Sequence, residues 1–328
     1  MTGWNRVTGH TEAINYFKST LERKLPQNAY LISGERGSGK KLLASIFAKG
    51  LVCEGDSSRP CMKCRACNQA KDGNHPDIRY LIREKANTIS VKEIREQIVD
   101  DIVIRPYQAE YKVYIIDEAD RMTEQAQNAL LKTLEEPPAY AIILLLTTRP
   151  KQLLLTIRSR CMHLKLKELT DGQVARFLKE RGYDESRIRV STAFAKGNIG
   201  RALEIAESPK FNELVEDVVG LVRNADDMKA YEVTEAIGRI QKHKDDLNGF
   251  FDLMLIWYRD VLVYKSTGDV GVVTFRGEEQ HIRRQAERKS FEGIRQILEA
   301  IDKAKTRLAA NVNFDIVAEL LVLTIKEN

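Results

Sequence analysis

Three short apolar runs in the first half of the chain, at 29–32, 113–116 and 141–146, do not alternate with polar residues. Unbroken apolarity of this length suits strands covered on both faces, as in a parallel sheet. Each run leads into a polar signature: GERGSGKK after the first, Asp117 and Glu118 after the second, Thr147 and Thr148 after the third. Helical stretches lie between them. Residues 1–25 read as one helix, with Ile14, Phe17 and Leu21 at spacings of three and four and Pro26 as the stop. A further helix is predicted from an N-cap at Thr123 to Glu136, where Pro137 and Pro138 end it. Strand, loop, helix and strand again predict a doubly wound α/β domain over 1–165.

Beyond 165 the period changes. Val174, Phe177 and Leu178 mark one helix, Ile188, Ala193 and Phe194 another, and the turn KGNIG precedes a third near Arg201. These give a small helical domain over 166–208. From 209 to 328 helical periodicity alone is found. The stretch FFDLMLIWYRDVLVY, 250–264, is apolar round most of its circumference and predicts a central bundle helix. Ile294, Ile297, Leu298, Ile301 and Leu308 form one stripe, and Phe314, Val317, Leu321 and Ile325 another. STGDVGVV, 266–273, reads as a loop between helices. The sequence has no repeat, low-complexity tract or long heptad run.

Composition changes this picture little. The chain has 328 residues, 43% hydrophobic, 30% charged and 7% aromatic. That balance suits two or three globular domains and argues against disorder. Its 52 Lys and Arg exceed its 47 Asp and Glu, and the net +5 permits contact with nucleic acid without arguing for it. The charges are interspersed, as in EKANTISVKEIREQ, so most belong to solvated helix faces. No apolar run approaches the ~18 residues needed to span a bilayer. The start, MTGWNRVTGHTEAINYF, lacks a basic-then-apolar leader, and a cytoplasmic location is expected.

Chemistry enters with GERGSGKK, 34–41. A phosphate loop reads G-x-x-x-x-G-K-[ST], and here Gly34, Gly39 and Lys40 fit between a strand and a helix, with Gly37 as a further loop residue. Glycines permit the tight path that aims backbone N–H groups at a phosphate, and Lys40 would reach the β- and γ-phosphates. Behind it, VYIIDEAD ends an apolar strand in two acids. Asp117 would hold magnesium and Glu118 would polarise the attacking water. The last loop position departs from the pattern: Lys41 stands where Ser or Thr would ligate the ion. Magnesium demands oxygen ligands in near-octahedral array, and an ammonium has no lone pair. Lys41 would also repel the ion. The expectation is therefore an impaired nucleotide site: ATP or ADP binding undecided, Mg²⁺ unfavoured, hydrolysis poor or absent.

Four of the five cysteines, Cys53, Cys61, Cys64 and Cys67, stand as C-x7-C-x2-C-x2-C. Two overlapping C-x-x-C turns aim sulfurs at one point, and four thiolates suit a closed tetrahedral structural zinc site. Arg59, Lys63 and Arg65 would offset its negative charge. An iron–sulfur cluster and unligated thiols or disulfides stay open as alternatives. Cys161, after Arg160, reads as a small packed residue.

The order of these motifs resembles the clamp-loader branch of the AAA+ ATPases. The resemblance is carried by VTGH, GERGSGKK, the cysteine cluster, GNHPD (73–77), VYIIDEADRMTEQAQNALLKTLEEPP, LLTTRP, TIRSRC and GNIGRAL. It implies an AAA+ ATPase-like α/β domain (1–165) with a zinc-binding insertion (53–67). A helical lid (166–208) and a helical collar (209–328) that joins subunits in a pentameric ring would follow. It implies that Arg160, in SRC, is an arginine finger offered to nucleotide on a neighbouring subunit, where an always-charged fork stabilises transition-state charge. Thr148 resembles the residue that senses the γ-phosphate, and Arg201, in GNIGRA, a second sensor reaching from the lid towards bound nucleotide; whether it is vestigial beside an impaired loop stays open.

The function this implies is a non-motor subunit of the DNA polymerase III clamp loader, in DNA replication. The partners implied are delta and tau/gamma subunits, the sliding clamp, and primed DNA within the assembly. An active motor subunit of the tau/gamma type is the first alternative. Lys41 and the lack of a long extension beyond the collar speak against it. A zinc-dependent nucleic-acid-binding module is the second. Weak net charge and the lack of interleaved aromatics around the cysteines speak against that.

Overall fold

The computed structural model describes residues 3–55 and 58–328. The chain divides into two compact units: residues up to Gln173 together with Asn198–Gly200, and Val174–Gly197 together with Arg201–Asn328.

The first unit is built on five strands: β1 (Ala29–Ser33), β2 (Ile78–Tyr80), β3 (Lys112–Ile116), β4 (Ala141–Thr147) and β5 (Met162–Lys165). They stand in the order β2-β3-β4-β1-β5, and every neighbouring pair is parallel. The three apolar runs are β1, β3 and β4, buried at every residue. Alternate residues serve opposite faces. Tyr30, Ile32, Val113, Ile115, Ile142 and Leu144 join one apolar core, and Leu31, Tyr114, Ile116, Ile143 and Leu145 join another. Covering both faces explains why these strands show no polar alternation.

Three sequence expectations are corrected here. Two strands were not foreseen: β2 has three residues, and β5 has largely exposed side chains. Both are edge strands. The first helix is not continuous either. Among the described residues, a 3₁₀ turn at Gly3–Arg6 precedes the α-helix Thr11–Arg23, and residues 1 and 2 lie outside those described. Gly9 and His10, at φ 69° and 50°, form the left-handed break between them. The Thr123 N-cap is as expected: its side chain accepts the Ala126 N–H, and the helix runs Glu124–Glu135.

Two buried polar groups brace the sheet below the loops. Lys112, at the start of β3, has a side chain 0% exposed, with its ammonium 2.8 Å from the Asp101 carboxylate and bonded to the Asp101 and Ile104 carbonyls. Asp77, of the GNHPD motif, accepts N–H groups from Tyr107, Gln108 and Ala109 at 2.6–2.9 Å. It thereby fixes the turn leading into β3.

The second unit is helical throughout its described elements. Helix Leu247–Thr267 is its centre, with Phe250, Trp257 and Tyr258 fully buried, as expected from its all-round apolarity. Ile294, Ile297 and Ile301 of helix Phe291–Ala309 and Val317, Leu321 and Ile325 of helix Phe314–Glu327 pack in the same core. No helix among the described residues is long and apolar enough to cross a membrane.

Candidate functional site

In the sheet order, β4 lies between β3 and β1. Its parallel register sets the ends of β1, β3 and β4 side by side, so the phosphate loop, Asp117–Glu118 and Thr147–Thr148 meet at one edge. The loop leaves β1 at Gly34 and enters helix Lys40–Leu51. Gly37 and Gly39 take left-handed φ of 83° and 90°. Gly34 is needed for a different reason than the turn conformation expected from the sequence. A Cβ there would come 2.8 Å from the Ser38 hydroxyl and 3.2 Å from the Leu166 carbonyl oxygen.

The loop is held by its own chain. Lys40 donates to the carbonyls of Gly34 (2.8 Å) and Glu35 (2.7 Å). Asn198 Nδ2 donates to the Arg36 carbonyl at 2.6 Å, Gly200 N–H to that of Gly37 at 3.0 Å, and His10 Nε2 to that of Ser38 at 2.9 Å. Each carbonyl from Gly34 to Ser38 is thus engaged. Gly200 packs so closely that a Cβ would sit 2.6 Å from the Gly37 Cα. Burial lowers the Lys40 ammonium below its ordinary pKa, against the pull of Asp117, Glu35, Asp120 and Glu118.

The acids are equally committed. Lys41 Nζ lies 3.4 Å from Asp117 Oδ2, while Asp117 Oδ1 accepts the Glu118 N–H at 3.0 Å. Glu118, at φ 54°, places its carboxylate 2.6 Å from Arg83 Nη1 and 3.0 Å from Arg121 Nε. Asp120 accepts the Thr147 hydroxyl at 2.6 Å and the Thr148 N–H at 3.3 Å, and pairs with Arg149 at 3.0 Å. Burial pushes the Asp120 carboxyl up, but the Thr147 and Arg149 bonds outweigh it and hold it below its ordinary value. Thr148 itself is half-buried beside this network. Each acid that could serve a metal ion or a water here already faces a protein cation. Arg83, Arg121 and Arg149 were not singled out from the sequence. Arg121, three residues after Glu118, is the one whose spacing gave a signal.

Arg160 contacts other residues than these, Thr156 and Glu135. It follows the short helix Leu155–Arg158, and its guanidinium donates to the Thr156 carbonyl at 2.9 Å and pairs with Glu135 at 2.7 Å. Its side chain is 35% exposed. Arg201 belongs to the second unit, where its guanidinium lies 4.9 Å from the centre of the Phe194 ring.

The four cysteine sulfurs lie within 4.8 Å of one another, between the helices Lys40–Leu51 and Arg65–Lys71. Backbone N–H groups of Gly55 and Cys61 point at Cys53 Sγ, that of Cys64 at Cys61 Sγ, and that of Cys67 at Cys64 Sγ, at 3.3–3.4 Å. Such N–H groups stabilise thiolates. The Lys63 N–H, with that of Cys64, lowers the Cys61 thiol to about 6, while burial raises Cys53 and Cys67. Four convergent sulfurs with N–H support are a donor set able to hold a metal ion such as zinc. Among the described residues Cys161 has no such partner set, and burial pushes its thiol up to about 12, as befits a packed residue.

Comparison with known proteins bears on the whole chain. A family described as "DNA polymerase III, delta subunit" matches residues 9–170. The delta' subunit of DNA polymerase III from Bacillus subtilis is 29% identical over 313 residues, 94% of each chain. The gamma subunit from Buchnera aphidicola (Schizaphis graminum) is 39% identical over 187 residues, 55% of this chain. The chain spans about half, 51%, of the length of that gamma subunit. The tau subunit from Bacillus subtilis is 29% identical over 322 residues, 91% of this chain and 57% of its own length.

Proposed function

Because the chain belongs to the DNA polymerase III clamp-loader subunits, we propose that it is the non-motor, delta-prime-type member of such a loader. In this reading its own nucleotide site is silent, and it supplies Arg160 in trans to a neighbouring motor subunit while the sliding clamp is placed on primed DNA. The observation that carries it is the 3.4 Å approach of Lys41 to Asp117. A tethered ammonium offsets the charge of the aspartate that would hold magnesium and would repel an incoming cation, so the site disfavours the ion. The Arg83 and Arg121 pairs do the same for Glu118, the acid that would polarise water. The fully bonded loop carbonyls favour a fixed scaffold over a loop that reshapes around nucleotide.

Arg160 fits the exported role because it is part-exposed and its fork is oriented by two contacts. Thr148 and Arg201 keep the sensor positions without a competent loop to report on. The AAA+ domain (1–165), lid (166–208) and collar (209–328) follow the same reading, as do a cytoplasmic location and partnership with delta and tau/gamma subunits. Zinc is the ion we assign to Cys53, Cys61, Cys64 and Cys67; when bound, it supplies a crosslink and no chemistry. The chain's own contribution there is the set of N–H groups that steady the thiolates.

A tau/gamma-type motor is the second reading, favoured by the higher identity to a gamma subunit over 187 residues. Steady-state ATP turnover by the isolated chain separates the two. The stator reading expects none above background with or without magnesium. Robust magnesium-dependent turnover that Lys40→Ala abolishes would establish the motor.

A further inference from the structure

The contact between Arg160 and Glu135 has a consequence for the reaction in trans. We infer that Glu135 is a positioning residue for the arginine finger: it holds the guanidinium in its fork geometry and yields it when a neighbour's phosphate arrives. This rests on the finger reading of Arg160.

Glu135 is the last residue of helix Glu124–Glu135. A carboxylate is disfavoured at a helix C-terminus, where the backbone dipole is already negative. Nothing in the helix itself therefore asks for an acid at this place, whereas Arg160 compensates one there at 2.7 Å. Glu136 caps the helix and Pro137 and Pro138 come next, and their fixed backbone limits how the chain can leave the helix end that carries the acid.

The second contact completes the geometry. Arg160 Nη2 faces Glu135 while Nη1 donates to the Thr156 carbonyl at 2.9 Å, so both terminal nitrogens are held and the plane of the fork is set. A guanidinium has five N–H donors, which leaves others for an incoming anion. The clasp is also exchangeable. The two side chains are 35% and 48% exposed, and ion pairs in that setting are weak and screened by salt. A multiply charged phosphate in a dry subunit interface competes well against one half-solvated carboxylate. The pair thus orders a long side chain beforehand, at a modest penalty when it must be released.

Two substitutions separate holding from yielding. Glu135→Gln keeps an acceptor oxygen for the guanidinium but removes the charge that competes with phosphate. Glu135→Ala removes both. The assay is ATP turnover against ATP concentration in the reconstituted loader, with motor sites not facing this chain silenced and incorporation checked by gel filtration.

Glu135→Gln should lower the half-saturating ATP concentration roughly threefold with kcat unchanged, as expected for loss of a part-exposed competing charge. Glu135→Ala should lower kcat about fivefold through lost orientation. In an Arg160→Ala background neither change should have any further effect. If Arg160→Ala impairs the loader but both Glu135 variants match the parent, the positioning role is overturned and the finger stands. Glu135 effects that persist without Arg160 would mark a merely structural role and overturn it too. If Arg160→Ala leaves turnover intact, the finger reading fails, and the Glu135 proposal with it.

Discussion

The phosphate-loop edge and the Arg160 corner of the same α/β unit handle charge in opposite ways. At the loop edge Lys41 faces Asp117, Arg83 and Arg121 hold Glu118, and Arg149 holds Asp120. Charges that would act on nucleotide, metal and water are spent on one another. At the corner a single guanidinium is held by one carboxylate and one carbonyl, both at the surface. On the proposed reading, a site keeps the shape of an ATPase while its charges are offset internally, and an oriented cation elsewhere serves a different subunit.

The largest expected effect breaks the exporting half of this contrast. Arg160→Ala in the reconstituted loader should lower turnover at the neighbouring site by about 10³-fold or more, the scale of an arginine finger. The chain should still fold and join the complex. A change of less than twofold at that site would leave the loop edge as a plain scaffold with nothing exported.

A smaller effect sharpens the silent half. Lys41→Thr deletes a cation and restores an oxygen ligand, and isothermal titration should find Mg²⁺–ATP bound at least about tenfold more tightly. Removing one nearby charge is worth roughly 1–4 kcal/mol at the separations and dielectrics of a protein surface. Turnover should stay low, because Arg83 and Arg121 still hold Glu118. Full hydrolysis by this single variant would show that the Glu118 clasp has no inhibitory part.

The smallest effect concerns the Asp120 network. Burial works against the charged form there, and the Thr147 and Arg149 bonds more than offset it, so the folded carboxyl ionises below its ordinary 3.8. Its contribution is then complete above 3.8 and lost as pH falls through the lower folded value. Asp120→Asn keeps one acceptor oxygen and should cost about 1 kcal/mol at pH 6, the net scale of a single ordinary hydrogen bond. The gap between the two melting curves should narrow only below about pH 4. A gap that is constant down to pH 2 would place the effect in packing rather than charge.

Legibility from sequence followed burial and locality. β1, β3 and β4 were readable because burial on both faces leaves an unbroken apolar run. β2 and β5 were not, because an edge strand of three or four residues needs no such run. The first helix was read too long because Ile14, Phe17 and Leu21 keep helical spacing, while the break at Gly9 and His10 is a matter of backbone sign. At the site, Lys41 and Asp117 were legible through motif spacing. The Arg83–Glu118 and Glu135–Arg160 pairs were not, because they join distant stretches through side-chain geometry that no local pattern encodes. The cysteine cluster was the clearest local signal, since its spacing alone brings four sulfurs together.

On the proposed reading the Lys41 ammonium stands in the place of magnesium. Equilibrium binding of labelled ATP to the isolated chain, measured with Mg²⁺ and with EDTA, tests it most directly. The account predicts the same weak or undetectable binding in both conditions. Binding that Mg²⁺ strengthens tenfold or more in the unaltered chain, and that Lys40→Ala removes, would contradict it.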